Sequence, residues 1–95
     1  MRYLVTRHRG AREWCQQQGY QVDQQLLHLI PDIIQPGDLV IGILPILMVA
    51  QIQQNGARYL HLSLDVPEAL RGKELDSATM TRLGAKLQEF RIQAI

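Results

Sequence analysis

Apolar positions along the chain change their period several times, and each change marks an element. Arg2 to Thr6 is a short β-branched and aromatic run that predicts a strand. The helix-compatible stretch Ala11 to Gln18 follows, closed by Gly19 as a C-cap. Tyr20 to Ile30 carries Val22, Leu26, Leu27, Leu29 and Ile30, which fit neither strict alternation nor a helical stripe, and the segment is read as a second strand. Pro31 and Pro36-Gly37 punctuate the next connection, and Asp38 opens the strongest strand, Leu39 to Leu44, whose unbroken apolar run indicates burial on both faces as in a parallel sheet. Pro45 suits the first turn of a helix that ends at Asn55-Gly56, with Ile46, Leu47, Val49 and Ala50 expected to face the sheet. Arg58 to Leu64 alternates Leu60, Leu62 and Leu64 against Tyr59, His61 and Ser63, a strand with one more polar face. After the loop Asp65 to Leu75, an Asp76 or Ser77 cap starts a final helix in which Met80, Leu83, Leu87 and Phe90 recur at i, i+3, i+7 and i+10.

The order is therefore β-α-β-β-α-β-α. Helices between strands predict a small Rossmann-like α/β three-layer sandwich, with a mostly parallel four-stranded sheet and about three helices in a single domain over residues 1–95. The second strand is the exception to the parallel rule. Only Pro31 to Asp38 separates it from the third, fewer residues than the about ten to twelve of a helical crossover, so it is expected to be antiparallel or at an edge.

Composition narrows the function. With 95 residues, 46% hydrophobic and 20% charged, the chain fits one globular core and excludes disordered, collagen-like and coiled-coil classes. The longest apolar run, Leu39 to Ala50, is broken by Gly42 and Pro45 and is too short to span a bilayer. An Arg-rich N-terminal stretch stands where a signal peptide would carry its apolar core, so a cytoplasmic protein without membrane contact is expected. The single Cys15 can form neither an internal disulfide nor a structural zinc site. A net charge of +1 argues against a protein that tracks long nucleic acid. The charge is unevenly placed, however: Arg2, Arg7, Arg9 and Arg12 all precede the first acidic residue.

In open α/β sheets, ligands bind beyond the carboxyl ends of the strands. Three segments meet there in this chain: Thr6 to Gly10, Leu44-Pro45, and Asp65 to Glu74, which includes Arg71-Gly72-Lys73. In the first, cations precede a helix N-terminus, a place that favours a phosphate. Gly10 would let backbone approach the ligand, and Thr6 could donate a hydroxyl hydrogen bond. His8 could act as general acid or base, because histidine titrates near neutral pH. The same residues also suit a solvated basic loop before a helix. Arg71 and Lys73 form a second cationic pair in a loop long enough to act as a lid, or one salt-bridged to Glu68, Glu74 and Asp76. His61 and His28 read as hydrogen-bonded buried or interface histidines, and Trp14 and Cys15 as core. Neither H-x-x-x-H nor D-x-D nor carboxylates paired at helical spacing occur, so no metal or other cofactor is expected.

Five blocks in order, V-T-R-H-x-G-A-x-x-W (Val5 to Trp14), G-D-L-V-I-G-x-L-P (Gly37 to Pro45), G-A-R-Y-x-H-L-S-L-D (Gly56 to Asp65), R-G-K-E-L (Arg71 to Leu75) and G-A-K-L-x-E-F (Gly84 to Phe90), together resemble a small accessory family of type III CRISPR systems. The resemblance implies a ring nuclease, an enzyme that cuts cyclic oligoadenylate second messengers, chiefly cyclic tetra-adenylate, to switch off the antiviral response. It also implies a fold similar to CRISPR-associated Rossmann-fold sensor domains, which bind the ring across a homodimer. A two-fold dimer would present each cationic cluster twice to a ligand of matching symmetry. In such enzymes a ribose 2′-OH attacks the adjacent phosphorus and leaves a 2′,3′-cyclic phosphate. On that footing Arg7, His8 and Arg9 would be the catalytic candidates. Thr6, Gly10, Leu44, Pro45, Ser63, Asp65, Arg71 and Lys73 would hold the ring. Arg9 stands where the family favours proline. Two other functions use the same residues: a protein that sequesters cyclic oligoadenylate without cutting it, and a regulatory partner of another CRISPR protein.

Overall fold

In the computed structural model, which describes residues 1–95, the chain forms five strands and three helices. They are β1 (Arg2–Val5), α1 (Gly10–Gln17), β2 (Gln24–Leu26), β3 (Leu39–Gly42), α2 (Ile46–Gln54), β4 (Arg58–Ser63), α3 (Ser77–Arg82) and β5 (Lys86–Phe90). Short 3-10 turns at Pro31–Ile33 and Glu68–Leu70 interrupt two of the connections. The sheet order is β2-β1-β3-β4-β5, with β1 to β4 parallel and β5 antiparallel to β4.

Strand alternation divides the core between the two faces. Leu4, Leu39, Ile41, Leu60 and Leu62 pack beneath α1 and α3 with Ala11, Trp14, Cys15 and Met80. On the other face Tyr3, Val5, Val40 and Tyr59 pack beneath α2 with Val49 and Ile52. Helix on sheet on helix is the three-layer sandwich that the alternating elements predict. Ala11, Trp14 and Cys15 lie at the spacing that turns one stripe of α1 inward. Burial pushes the Cys15 thiol up to about 11, so it is a packing residue with no thiolate to offer.

Four details of the expected layout change. The final helix does not run to Phe90: the Asp76 carboxylate caps α3 by accepting the Thr79 N–H at 2.7 Å, but Gly84 at φ +75° ends the helix after one and a half turns. Leu87 and Phe90 therefore belong to a fifth strand, held to β4 by two hydrogen bonds from Arg58 to Glu89 at 2.8 and 2.9 Å. The second strand shrinks to Gln24–Leu26 and is a parallel edge strand rather than an antiparallel one. Its return to β3 passes across the α2 face, where Leu29 and Ile34 are buried, and a 3-10 turn does the work of a crossover helix. On α2 the inward residues are Val49, Ala50 and Ile52, while Ile46 and Leu47 are 70% and 77% exposed. His28 is exposed, not buried.

Because β1 lies between β2 and β3, the chain reverses direction of travel across the sheet between β1 and β3. A doubly wound sheet opens its ligand crevice at this switch point. Gly42, opposite Val5, keeps the two strands close there: a Cβ at Gly42 would lie 2.8 Å from the Val5 carbonyl oxygen.

Candidate functional site

A cleft of about 620 Å³ opens at the carboxyl end of β1 and β2. It is lined by Thr6, Arg7, His8 and Arg9 from the β1–α1 loop, by Gln25, Leu26 and Leu27, and by Gly72, Lys73 and Glu74 from the long loop before α3. Residues far apart in sequence thus place three cations and one histidine around a single opening with one carboxylate. Arg7 and Lys73 have no acidic partner, whereas Arg9 Nε lies 3.5 Å from Glu74 Oε1. Both members of that pair are largely solvated, so the attraction is weak and easily exchanged for another anion.

The loop that carries the cluster is held mostly by neutral groups, with Glu74 the one carboxylate engaged, which leaves the charges of Arg7 and Lys73 free. The Gln25 side-chain amide donates to the carbonyls of Thr6 and His8 at 3.2 and 3.1 Å. The Thr6 hydroxyl accepts the His8 backbone N–H at 3.2 Å, and Glu74 accepts the Arg9 N–H at 3.4 Å. No side chain caps α1, and its positive dipole end adjoins the cleft. Gly10 starts α1 against the loop before α3: a Cβ there would lie 2.5 Å from the Asp76 Cα and the Leu75 oxygen. Close backbone approach therefore requires glycine at this position, and the approach is to the protein's own loop.

Of the residues expected to form the site, Thr6, Arg7, His8, Arg9 and Lys73 come together in the cleft. Gly10 stands behind it. Leu44 and Pro45 lie on the β3–α2 loop, Ser63 ends β4 and Asp65 follows it, and none of the four lines this cleft. Arg71 is exposed outside it. Gln25 and Glu74 were not singled out from sequence as site residues. Gln25 reads as one of many surface glutamines, and only the parallel register of β2 on β1 brings its amide to the loop.

A second polar cluster sits at the carboxyl end of β3 and β4. The Tyr59 hydroxyl, buried at 2% exposure, accepts the Leu44 N–H at 3.0 Å and donates to the Gly42 carbonyl at 2.9 Å, with His61 Nδ1 2.7 Å away. Burial raises the hydroxyl above the ordinary phenol range, against the opposing pull of the Leu44 N–H. His61 is half-buried, edge-on to Tyr59 on one side and to Phe90 on the other. No three His, Cys, Asp or Glu side chains gather as metal ligands anywhere in the chain, and no helix is long and apolar enough to cross a membrane.

The fold and the cleft define a miniature doubly wound α/β protein with a cationic, histidine-bearing pocket at its switch-point end. Residues 3–93 match the family model described as "Putative CRISPR-associated protein (Cas_VVA1548)", and the chain belongs to that CRISPR-associated family. No curated protein and no solved structure matches it.

Proposed function

We propose that this CRISPR-associated protein is a ring nuclease of type III systems that binds cyclic oligoadenylate, cyclic tetra-adenylate foremost, and cleaves it without a metal ion. The observation that carries the reading is the cleft after β1, where Arg7, Arg9 and Lys73 surround His8 and only Glu74 opposes them. Clustered cations on a braced loop suit a ligand that repeats its phosphate around a ring. Arg7 or Arg9 neutralises charge on the scissile phosphate, His8 assists proton transfer, and Thr6 and Lys73 help hold the ring. A ribose 2′-oxygen displaces the 5′-oxygen at phosphorus, giving linear adenylates with 2′,3′-cyclic phosphate ends.

The protein acts as a homodimer. Ile43, Ile46 and Leu47 are 60%, 70% and 77% exposed in the loop and first turn after β3, an apolar run next to the ligand-binding end of the sheet. Covering it with a second copy would bring two clefts to one two-fold ligand.

The test is incubation of purified protein with cyclic tetra-adenylate in EDTA, resolving products by chromatography and recording binding in the same sample. Short linear adenylates with cyclic phosphate ends are expected. Binding without products would leave a sequestering protein, and neither binding nor products would overturn the reading.

A further inference from the structure

The Tyr59 hydroxyl has three polar neighbours and one proton, and that arithmetic decides which nitrogen of His61 is protonated. Leu44 N–H must donate to the hydroxyl oxygen, since an amide N–H accepts nothing. The Gly42 carbonyl, 2.9 Å away, can only accept, so the hydroxyl proton belongs on that line. Were the proton turned toward His61 instead, two oxygens would face each other at 2.9 Å with nothing between them. His61 Nδ1, at 2.7 Å, must then donate to the hydroxyl. All four groups are satisfied when neutral His61 carries its hydrogen on Nδ1 and its lone pair on Nε2.

That lone pair is available. Nε2 has no hydrogen-bond partner in the protein, yet no side-chain nitrogen or oxygen is both buried and unpaired, so Nε2 reaches the surface. It does so at the carboxyl end of the sheet. His61 pairs in register with Gly42, which itself abuts Val5 across the switch point, so β4 lies two strands, or about 10 Å, from the strand that carries Arg7 and His8.

We infer that His61 is a proton acceptor in ring cleavage and that Tyr59 is the positioning residue that sets its tautomer. The inference rests on the ring-nuclease reading. A ring held by Arg7 and Lys73 carries further phosphodiesters toward β3 and β4. There His61 Nε2 takes the proton of a ribose 2′-OH as its oxygen bonds to phosphorus and the bond from phosphorus to the 5′-oxygen breaks. A water molecule protonates the departing 5′-oxygen, and the hydroxide so formed takes the proton back from His61, restoring the starting state.

Long-range proton–nitrogen NMR on the labelled protein reads the tautomer directly, without ligand. Neutral His61 is expected to be protonated at Nδ1 and to shift toward Nε2–H in Tyr59→Phe; an Nε2–H tautomer in the unaltered protein overturns the inference. His61→Asn keeps an N–H donor near the Tyr59 hydroxyl but has no base. With melting temperature retained, cleavage of cyclic tetra-adenylate is expected to fall about 10²- to 10⁴-fold at unchanged Kd. Unchanged cleavage, or affinity lost in step with cleavage, overturns the role. If the unaltered protein binds the ring but does not cut it, the role of His61 fails while ring binding stands. If it does neither, the ring-nuclease reading fails first and takes this role with it.

Discussion

The two ends of the sheet carry similar side chains and spend them differently. At the amino end a hollow of about 780 Å³ lies between α2 and the end of β5, and its Gln53, Arg58 and Glu89 side chains are already engaged, while Gln54, Arg91 and Gln93, which also line it, are not. Arg58 is paired twice to Glu89, and the Gln53 amide bonds both the Phe90 carbonyl and the Ile92 N–H at 2.6 Å, as a neighbouring strand would. At the carboxyl end Arg7 and Lys73 have no carboxylate, and the loop beneath them is fixed by the Gln25 amide, the Thr6 hydroxyl and the Glu74 carboxylate. A charge consumed in holding a strand cannot hold a ligand. A charge on a braced loop can, because the ordering of the loop backbone is largely settled before the ligand arrives.

The sharpest way to break this comparison is to remove one arginine from each end. Arg7→Ala is expected to weaken binding of cyclic tetra-adenylate about 10- to 100-fold, the range for losing a hydrogen bond to a charged group, with an unchanged melting temperature. Arg58→Ala should do the reverse, lowering the melting temperature and leaving Kd alone. Calorimetric titration and thermal melts on both variants decide it. A loss of affinity in Arg58→Ala would show that the two ends are not separable.

Gly10→Ala tests the contact behind the cleft. The new Cβ would meet Asp76 and Leu75 backbone atoms, which have no rotamer with which to yield. Overpacking of this kind costs about 1–3 kcal/mol, so melting should shift down, and binding should weaken with it because the displaced segment carries Lys73 and Glu74. Stability lost with affinity intact would detach the loop before α3 from the site. Gln25→Ala is milder. It removes two neutral hydrogen bonds from the Thr6–His8 loop, and up to about tenfold weaker binding with little change in melting is expected from titration. Equal affinity would mean that Thr6 and Glu74 suffice to brace the loop.

How much of this was legible in the sequence follows from how local each signal is. The start of β3 at Leu39, a helix cap at Asp76 or Ser77 and the cation cluster after β1 are written in neighbouring residues, and the structure holds all three: the cap is Asp76, while β3 stops at Gly42, two residues short of the expected Leu44. The fifth strand is not local. Met80, Leu83, Leu87 and Phe90 satisfy a helical period, and only the left-handed turn at Gly84 and the distant Arg58 partner show that the period ends at Leu83. The alternation of β4 was legible but its polarity was not: Tyr59, on the nominally more polar face, is among the most buried residues because α2 covers that face. Gln25 and Glu74 are tertiary facts, set by strand register and loop approach, and spacing does not encode them; Tyr59 and His61 share a face of β4 by alternation, but the Leu44 and Gly42 contacts that fix the hydroxyl come from the neighbouring strand and its loop.

The smallest expected effect separates the two ends by acid. Glu89 is held below the ordinary carboxyl range, first by its hydrogen bonds from Arg58 and then by the charges of Arg58 and Arg91. A carboxyl whose pKa is lower folded than unfolded stabilises the fold above its unfolded value, about 4.3 for glutamate. That contribution drains away as pH falls through the folded value. Melting curves from neutral pH downward should therefore show an acid-sensitive component that Glu89→Gln removes. Both side chains of the pair are solvated, so the component is small and added salt should shrink it further. Ring binding measured in Glu89→Gln at neutral pH should match the unaltered protein. A changed Kd would mean that the antiparallel edge strand reaches the ligand, and the paired end would then have to be counted as part of the site.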